Sequence, residues 1–100
     1  MNKRDNKIID NLMVAVLALN TKTEAKKFFR DLLTETELIE FGKRWEVACL
    51  LSNNTPYTKI EQRTGLSSTT IARISKWLKN GMGGYKLIIS RLHHTNSSRK

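Results

Sequence analysis

One cysteine, one proline and half as many acids as bases are the shortages that first constrain this 100-residue chain. Without a second thiol there is no internal disulfide, and Cys49, inside the apolar run VACLL, reads as a small core residue. No apolar run approaches the roughly 20 residues that a membrane span needs. The basic start at Lys3 and Arg4 is followed by Asp5, Asp10 and Asn11, which interrupt the apolar stretch a signal peptide would require. A cytoplasmic protein is expected. No nucleophile with a nearby base, no pair of catalytic carboxylates and no metal-ligand set can be assembled, so neither an enzyme nor a cofactor is expected. His93 and His94 are adjacent and would face different ways on a helix, as solvent-exposed residues rather than ligands.

What the chain does have is basic charge, unevenly placed. The net charge is +9. From Pro56 onward nine bases (Lys59, Arg63, Arg73, Lys76, Lys79, Lys86, Arg91, Arg99 and Lys100) stand against the single acid Glu61. From Asp31 to Thr55 the balance reverses, with Asp31, Glu35, Glu37, Glu40 and Glu46 against Lys43 and Arg44. Charge kept only for solubility does not predict that asymmetry; a polyanionic partner does.

The basic half contains YTKIEQRTGLSSTTIARISKWLK, two short helical patterns joined by a tight turn. Thr58 with Glu61 has the spacing of a capping box, and Gly65 supplies a left-handed end to the first helix. Leu66 plugs the corner and Ser67 caps the second helix. Ile71, Ile74 and Leu78 make the inward stripe of the second helix, and Ile60 of the first faces the same small core. This is the pattern of a helix-turn-helix over about residues 58–79. Its outward side offers Ser68, Thr69, Thr70, Arg73 and Lys76, groups suited to base edges and phosphates. Ser68, Thr69, Thr70 and Arg73 are expected to approach bases, and Lys59, Gln62, Lys76 and Lys79 mainly phosphate. The expected partner is double-stranded DNA. A helical protein–protein interaction module using the same surface is the alternative, and an exposed apolar patch on the second helix would favour it.

The rest of the chain also reads as helix. Over residues 5–20, Ile8, Ile9, Leu12, Met13, Val16, Leu17 and Leu19 spread over more than one face, which in so small a chain predicts a subunit interface. Thr21 with Glu24, and Thr34 with Glu37, repeat the capping-box spacing and start a second helix, to about Leu33, and a third, to about Asn53. Gly42 falls inside the third, where a close helix crossing would explain it. Asn53–Pro56 is the stop. After Asn80–Gly84 a last helix spans about residues 85–92 with Leu87, Ile88 and Leu92 apolar, and residues 93–100 form a polar tail expected to be disordered. A single helical domain over 1–92, with six helices and no strand, results.

With these residues placed, the chain resembles the Trp repressor family, and most of all its small YerC/YecD-type regulators. The segments DLLTETELIEFGKRWEVACLL, YTKIEQRTGLSSTTIARISKWL and NGMGGY carry the resemblance, which covers about residues 25–92. It implies an all-α, six-helix fold in which two chains interlock, with the first, second, third and last helices forming a shared core and the helix-turn-helix forming DNA-reading heads. It further implies a regulator of transcription, a repressor by mode. In the tryptophan-responsive members two arginines and a threonine help hold the ligand, at the positions of Arg44, Arg73 and Thr34 here. Two neighbours depart from that pattern: Ile74 replaces a glycine and Trp77 a serine, filling the space an indole ring would take. Tryptophan is therefore not expected as the effector, although two cations and a hydroxyl suit another small anion. Thr34, Arg44, Arg73 and Trp77 are the candidate pocket.

Overall fold

A computed structural model describes residues 1–98, with the side chains of residues 95–98 left aside. Six α-helices follow in order: α1 Lys3–Leu17, α2 Lys22–Leu32, α3 Glu35–Ser52, α4 Tyr57–Thr64, α5 Ser68–Asn80 and α6 Gly84–Ser98. The described residues contain no strand, and none of their helices is long and apolar enough to cross a membrane. The chain divides into two compact units, Met1–Leu38 and Ile39–Lys100, the boundary falling within α3.

In the first unit the helix starts are set by short side chains that accept orphaned N–H groups. The Asn2 side chain accepts from the Asp5 N–H at 2.9 Å, and the Thr21 hydroxyl from the Glu24 N–H at 3.1 Å. At α3 the box closes both ways: Glu37 N–H donates to Thr34 Oγ1 at 3.1 Å, and Thr34 N–H to Glu37 Oε1 at 2.9 Å. The Thr34 N–H and then its hydroxyl hold the Glu37 carboxyl below the ordinary carboxylate range. That depressed value means the cap stabilises above the unfolded-state pKa and weakens as pH falls through the folded one. The box at Thr21 is looser, because Glu24 Oε1 takes the Asn20 N–H instead.

Neither α1 nor α2 has a buried residue. Leu12, Val16, Phe28 and Phe29 are half-buried, while Ile8, Met13, Val14 and Leu32 are exposed and Leu17 is 84% exposed. Of the apolar set expected on the first helix, Ile8, Ile9, Met13 and Leu17 are exposed.

The second unit has the core. Val47 and Ala48 of α3, Ile60 of α4, and Ile71 and Ile74 of α5 are completely buried. Leu50, Leu51, Leu66, Tyr85 and Ile89 pack around them. Gly65, at φ +74°, ends α4 in the left-handed region, with its N–H on the Glu61 carbonyl at 2.8 Å. Thr64 completes the corner. Its buried hydroxyl donates to the Ile60 carbonyl at 2.7 Å and accepts the Leu66 N–H at 3.2 Å. Ser67 then caps α5 through the Thr70 N–H, at 3.3 Å.

Three sequence expectations are corrected. The start of α4 is not capped by Thr58 with Glu61. The N-cap is Pro56, which has no side-chain bond to give, and its carbonyl takes the Lys59 and Ile60 N–H groups at 3.1 Å, so Thr58 is already inside the helix. Among the described residues, nothing beyond α3's own backbone lies within 4 Å of a Cβ built on Gly42, so no close crossing among them explains that glycine. A feature the sequence left open is also settled: on α6, Tyr85 and Ile89 pack against the core, and Leu87, Ile88 and Leu92 are exposed. Finally, α6 continues through the expected polar tail to Ser98, where neither glycine nor proline interrupts it; Arg99 and Lys100 lie outside the described residues.

Candidate nucleic-acid interface

The buried stripe Ile71–Ile74 fixes which side of α5 faces away from the core. With Ile60 of α4 against it, the pair of helices can rotate little without opening a cavity. Ser68, Thr69, Arg73 and Lys76 are exposed on α5, and Lys79 at its end. Thr70 is half-buried, and its hydroxyl lies 3.1 Å from the hydroxyl of the cap Ser67. Contact with a base through that hydroxyl would compete with the cap; the methyl carries no such conflict.

On α4, Lys59 and Gln62 are exposed and line a shallow groove with Thr55 and Arg63. Arg63 was not among the expected site residues. Its signal was in the chain: it stands four residues after Lys59, on the same face of α4. Glu61, the one acid of this half, is half-buried. The exposed residues of this surface are therefore hydroxyls, an amide and cations, with the small Ala72 among them. Such a surface attracts phosphate, and a guanidinium on it can engage a guanine edge with two parallel bonds.

The four residues of the expected pocket are only partly brought together. Arg44 and Trp77 meet: the guanidinium sits over the Trp77 ring at 5.9 Å and over the Phe41 ring at 5.8 Å, both within cation–π range. They line a cleft of about 730 Å³ with Trp45, Met82, Tyr85 and Ile88. Arg73 does not line it, and Thr34, the cap of α3, belongs to the first unit. Trp77 is 45% exposed, so its indole forms a wall of the cleft rather than a buried plug. Trp45 and Tyr85 stack with centroids 6.4 Å apart, a contact that no local spacing announces. Cys49 is half-buried, and burial followed by the nearby Glu46 pushes its thiol pKa up. It stays a neutral thiol at physiological pH.

With this geometry in place, the similarities to known proteins are informative. The family model described as Trp repressor protein matches residues 7–93. The uncharacterized protein YerC of Bacillus subtilis (strain 168) is 34% identical over 97 residues, which cover 97% of this chain and 93% of YerC. The crystal structure of a TrpR-like protein from Eubacterium eligens ATCC 27750 superposes with a TM-score of 0.84 at 34% identity, covering 87% of this chain and 90% of that one.

Proposed function

The chain belongs to the Trp repressor family, and from that premise we propose that it is a sequence-specific DNA-binding regulator of transcription, a repressor by mode, acting in the cytoplasm as a homodimer. The observation that carries the reading is the outward face of α5, where Ser68, Thr69, Arg73 and Lys76 are exposed while Ile71 and Ile74 are completely buried behind them. Each dimer presents two such helices to successive major grooves, about 34 Å apart. Arg73 pairs with a guanine, and Ser68, Thr69 and the Thr70 methyl meet neighbouring bases. Lys59, Gln62, Arg63, Lys76 and Lys79 hold phosphates and fix the register. The interaction-module alternative needs an apolar patch on α5; Trp77 is exposed there, but on the cleft side, and the outward face carries hydroxyls and cations with only the small Ala72 among them. Residues 1–92 act as one domain in this reading, which only the second copy completes, because α1 and α2 have no buried residue of their own.

Two alanine variants test the assignment of roles. Arg73→Ala should cost about 1–3 kcal/mol and relax specificity at one base position. Lys76→Ala should weaken all sequences alike and flatten the salt dependence by about one phosphate per head. Binding titrations across a set of single-base operator variants separate the two. If the variants behave alike, the division into base-reading and phosphate-holding residues is wrong.

L-Tryptophan should not switch the protein. Ile74 is completely buried where the resemblance implies a glycine, and Arg73 does not join Arg44 in lining the cleft. Calorimetry should detect no micromolar binding, and added tryptophan should change DNA affinity well under tenfold, a coupling below about 1.4 kcal/mol. Micromolar binding with a tenfold gain in DNA affinity would overturn this part of the reading.

A further inference from the structure

We propose that Lys86 is a positioning residue that fastens the end of the recognition helix, rather than one of the phosphate ligands its charge suggests. The inference rests on the DNA-binding reading above for its consequence, though not for its geometry. The last turn of any helix leaves carbonyls without partners and a partial negative charge. At the end of α5 one of these, the Trp77 carbonyl, takes the Gly81 N–H at 2.9 Å. The Lys79 carbonyl takes the Lys86 ammonium at 3.1 Å, reaching back from the first turn of α6. A cation donating to a C-terminal carbonyl satisfies the orphaned group and opposes the helix dipole together.

The connection that Lys86 spans is tight for a second, independent reason. Only Gly81, Met82 and Gly83 separate α5 from α6. A Cβ on Gly81 would collide with the Trp77 carbonyl oxygen, so the chain leaves α5 pressed against the helix's own last turn. Gly83, at φ +85°, then turns it in the left-handed region. Two backbone requirements and one side-chain bond thus define a short elbow. On α6, Leu87, Ile88 and Leu92 are exposed beyond it, an apolar set suited to the body of a dimer. An elbow that joins the reading helix to that body governs how far apart two reading helices stand, so Lys86 bears on half-site spacing and not on base identity.

The test uses the full chain with Lys86→Met and Lys86→Arg. Amide exchange at Lys79, Asn80 and Gly81 should quicken about two- to fivefold in Lys86→Met and return toward the original in Lys86→Arg. Operator affinity should fall about three- to thirtyfold for the two heads together, with discrimination among operators of altered half-site spacing reduced. The salt slope should be unchanged, because every phosphate ligand is still in place. A slope shallower by about two, one phosphate per head, would make Lys86 a phosphate ligand and overturn the proposal. Unchanged exchange at the end of α5 would overturn it equally, whatever happens to DNA binding. Should the unaltered protein bind no DNA at all, the regulator reading fails, and the exchange measurement still decides whether Lys86 fastens the helix.

Discussion

Raising the salt from 50 to 200 mM should weaken operator binding about 10³- to 10⁴-fold. The reasoning begins with charge placement. Lys59, Arg63, Lys76 and Lys79 are exposed on α4 and α5, and the only acid of that half, Glu61, is half-buried. Two copies of that set would neutralise about six to eight phosphates, the lower figure applying where the outermost cation of each head reaches none. Each neutralised phosphate releases counterions, and the log–log slope is about −0.9 per phosphate, giving about −5 to −7 for the dimer. A fourfold rise in salt then produces the stated loss. The effect belongs to the phosphate ligands and should be nearly the same on unrelated DNA, while the specific excess over it should change little. A slope shallower than about −2 would mean that the basic half serves some other partner.

Diluting the protein should lower its denaturation midpoint if folding and association are one process, as the proposed homodimer requires. The first unit is the reason. No residue of α1 or α2 is buried, and Ile8, Met13, Val14, Leu17 and Leu32 are all exposed. Each large aliphatic side chain left in water forgoes about 1.5–3 kcal/mol of burial. A pair of helices in that state is not stable in isolation. In the proposed homodimer a second copy covers these faces, and its removal by mass action would take about 1.4 kcal/mol per tenfold dilution from the folded dimer, or about 2.7 kcal/mol over a hundredfold. Sedimentation at the same concentrations should show a dimer that dissociates only as it unfolds. A stable folded monomer whose midpoint ignores concentration would remove the dimer from the account.

The parts of this structure legible in the sequence are those decided within a few residues along the chain. Gly65 and Ser67 mark the turn because a left-handed position and an N-cap accept few residue types. Ile60, Ile71 and Ile74 are identified by their spacing about that turn. Thr34 and Glu37 announce α3 because their reciprocal bonds span only three residues. The same rule failed at Thr58 with Glu61: the carbonyl of Pro56 was free to start the helix earlier, and the spacing alone does not weigh that competitor. What depends on partners distant in sequence was not legible. On α6 the sequence shows Leu87, Ile88 and Leu92 only as apolar, and nothing local marks Tyr85 and Ile89 as the residues that face the core, where Trp45 of α3 receives Tyr85. The candidate pocket was half legible for the same reason: Arg44 and Trp77 meet across helices, while Arg73 lies outside the cleft they line. Lys86 is only one more positive charge in the sequence, and its bond to the Lys79 carbonyl is what sets it apart.

The central claim is sequence-specific reading of DNA by two copies of α5, and selection from a pool of random duplexes tests it most directly. The account predicts enrichment of a two-fold symmetric sequence. Its half-sites should lie about 10–10.5 base pairs apart or a multiple of that distance, as paired helices in successive major grooves require. At least one position in each half should be a guanine that loses its preference in Arg73→Ala. A bound pool no different from the starting pool, under salt conditions where the protein is folded and dimeric, would contradict the account. So would enriched sequences without any dyad.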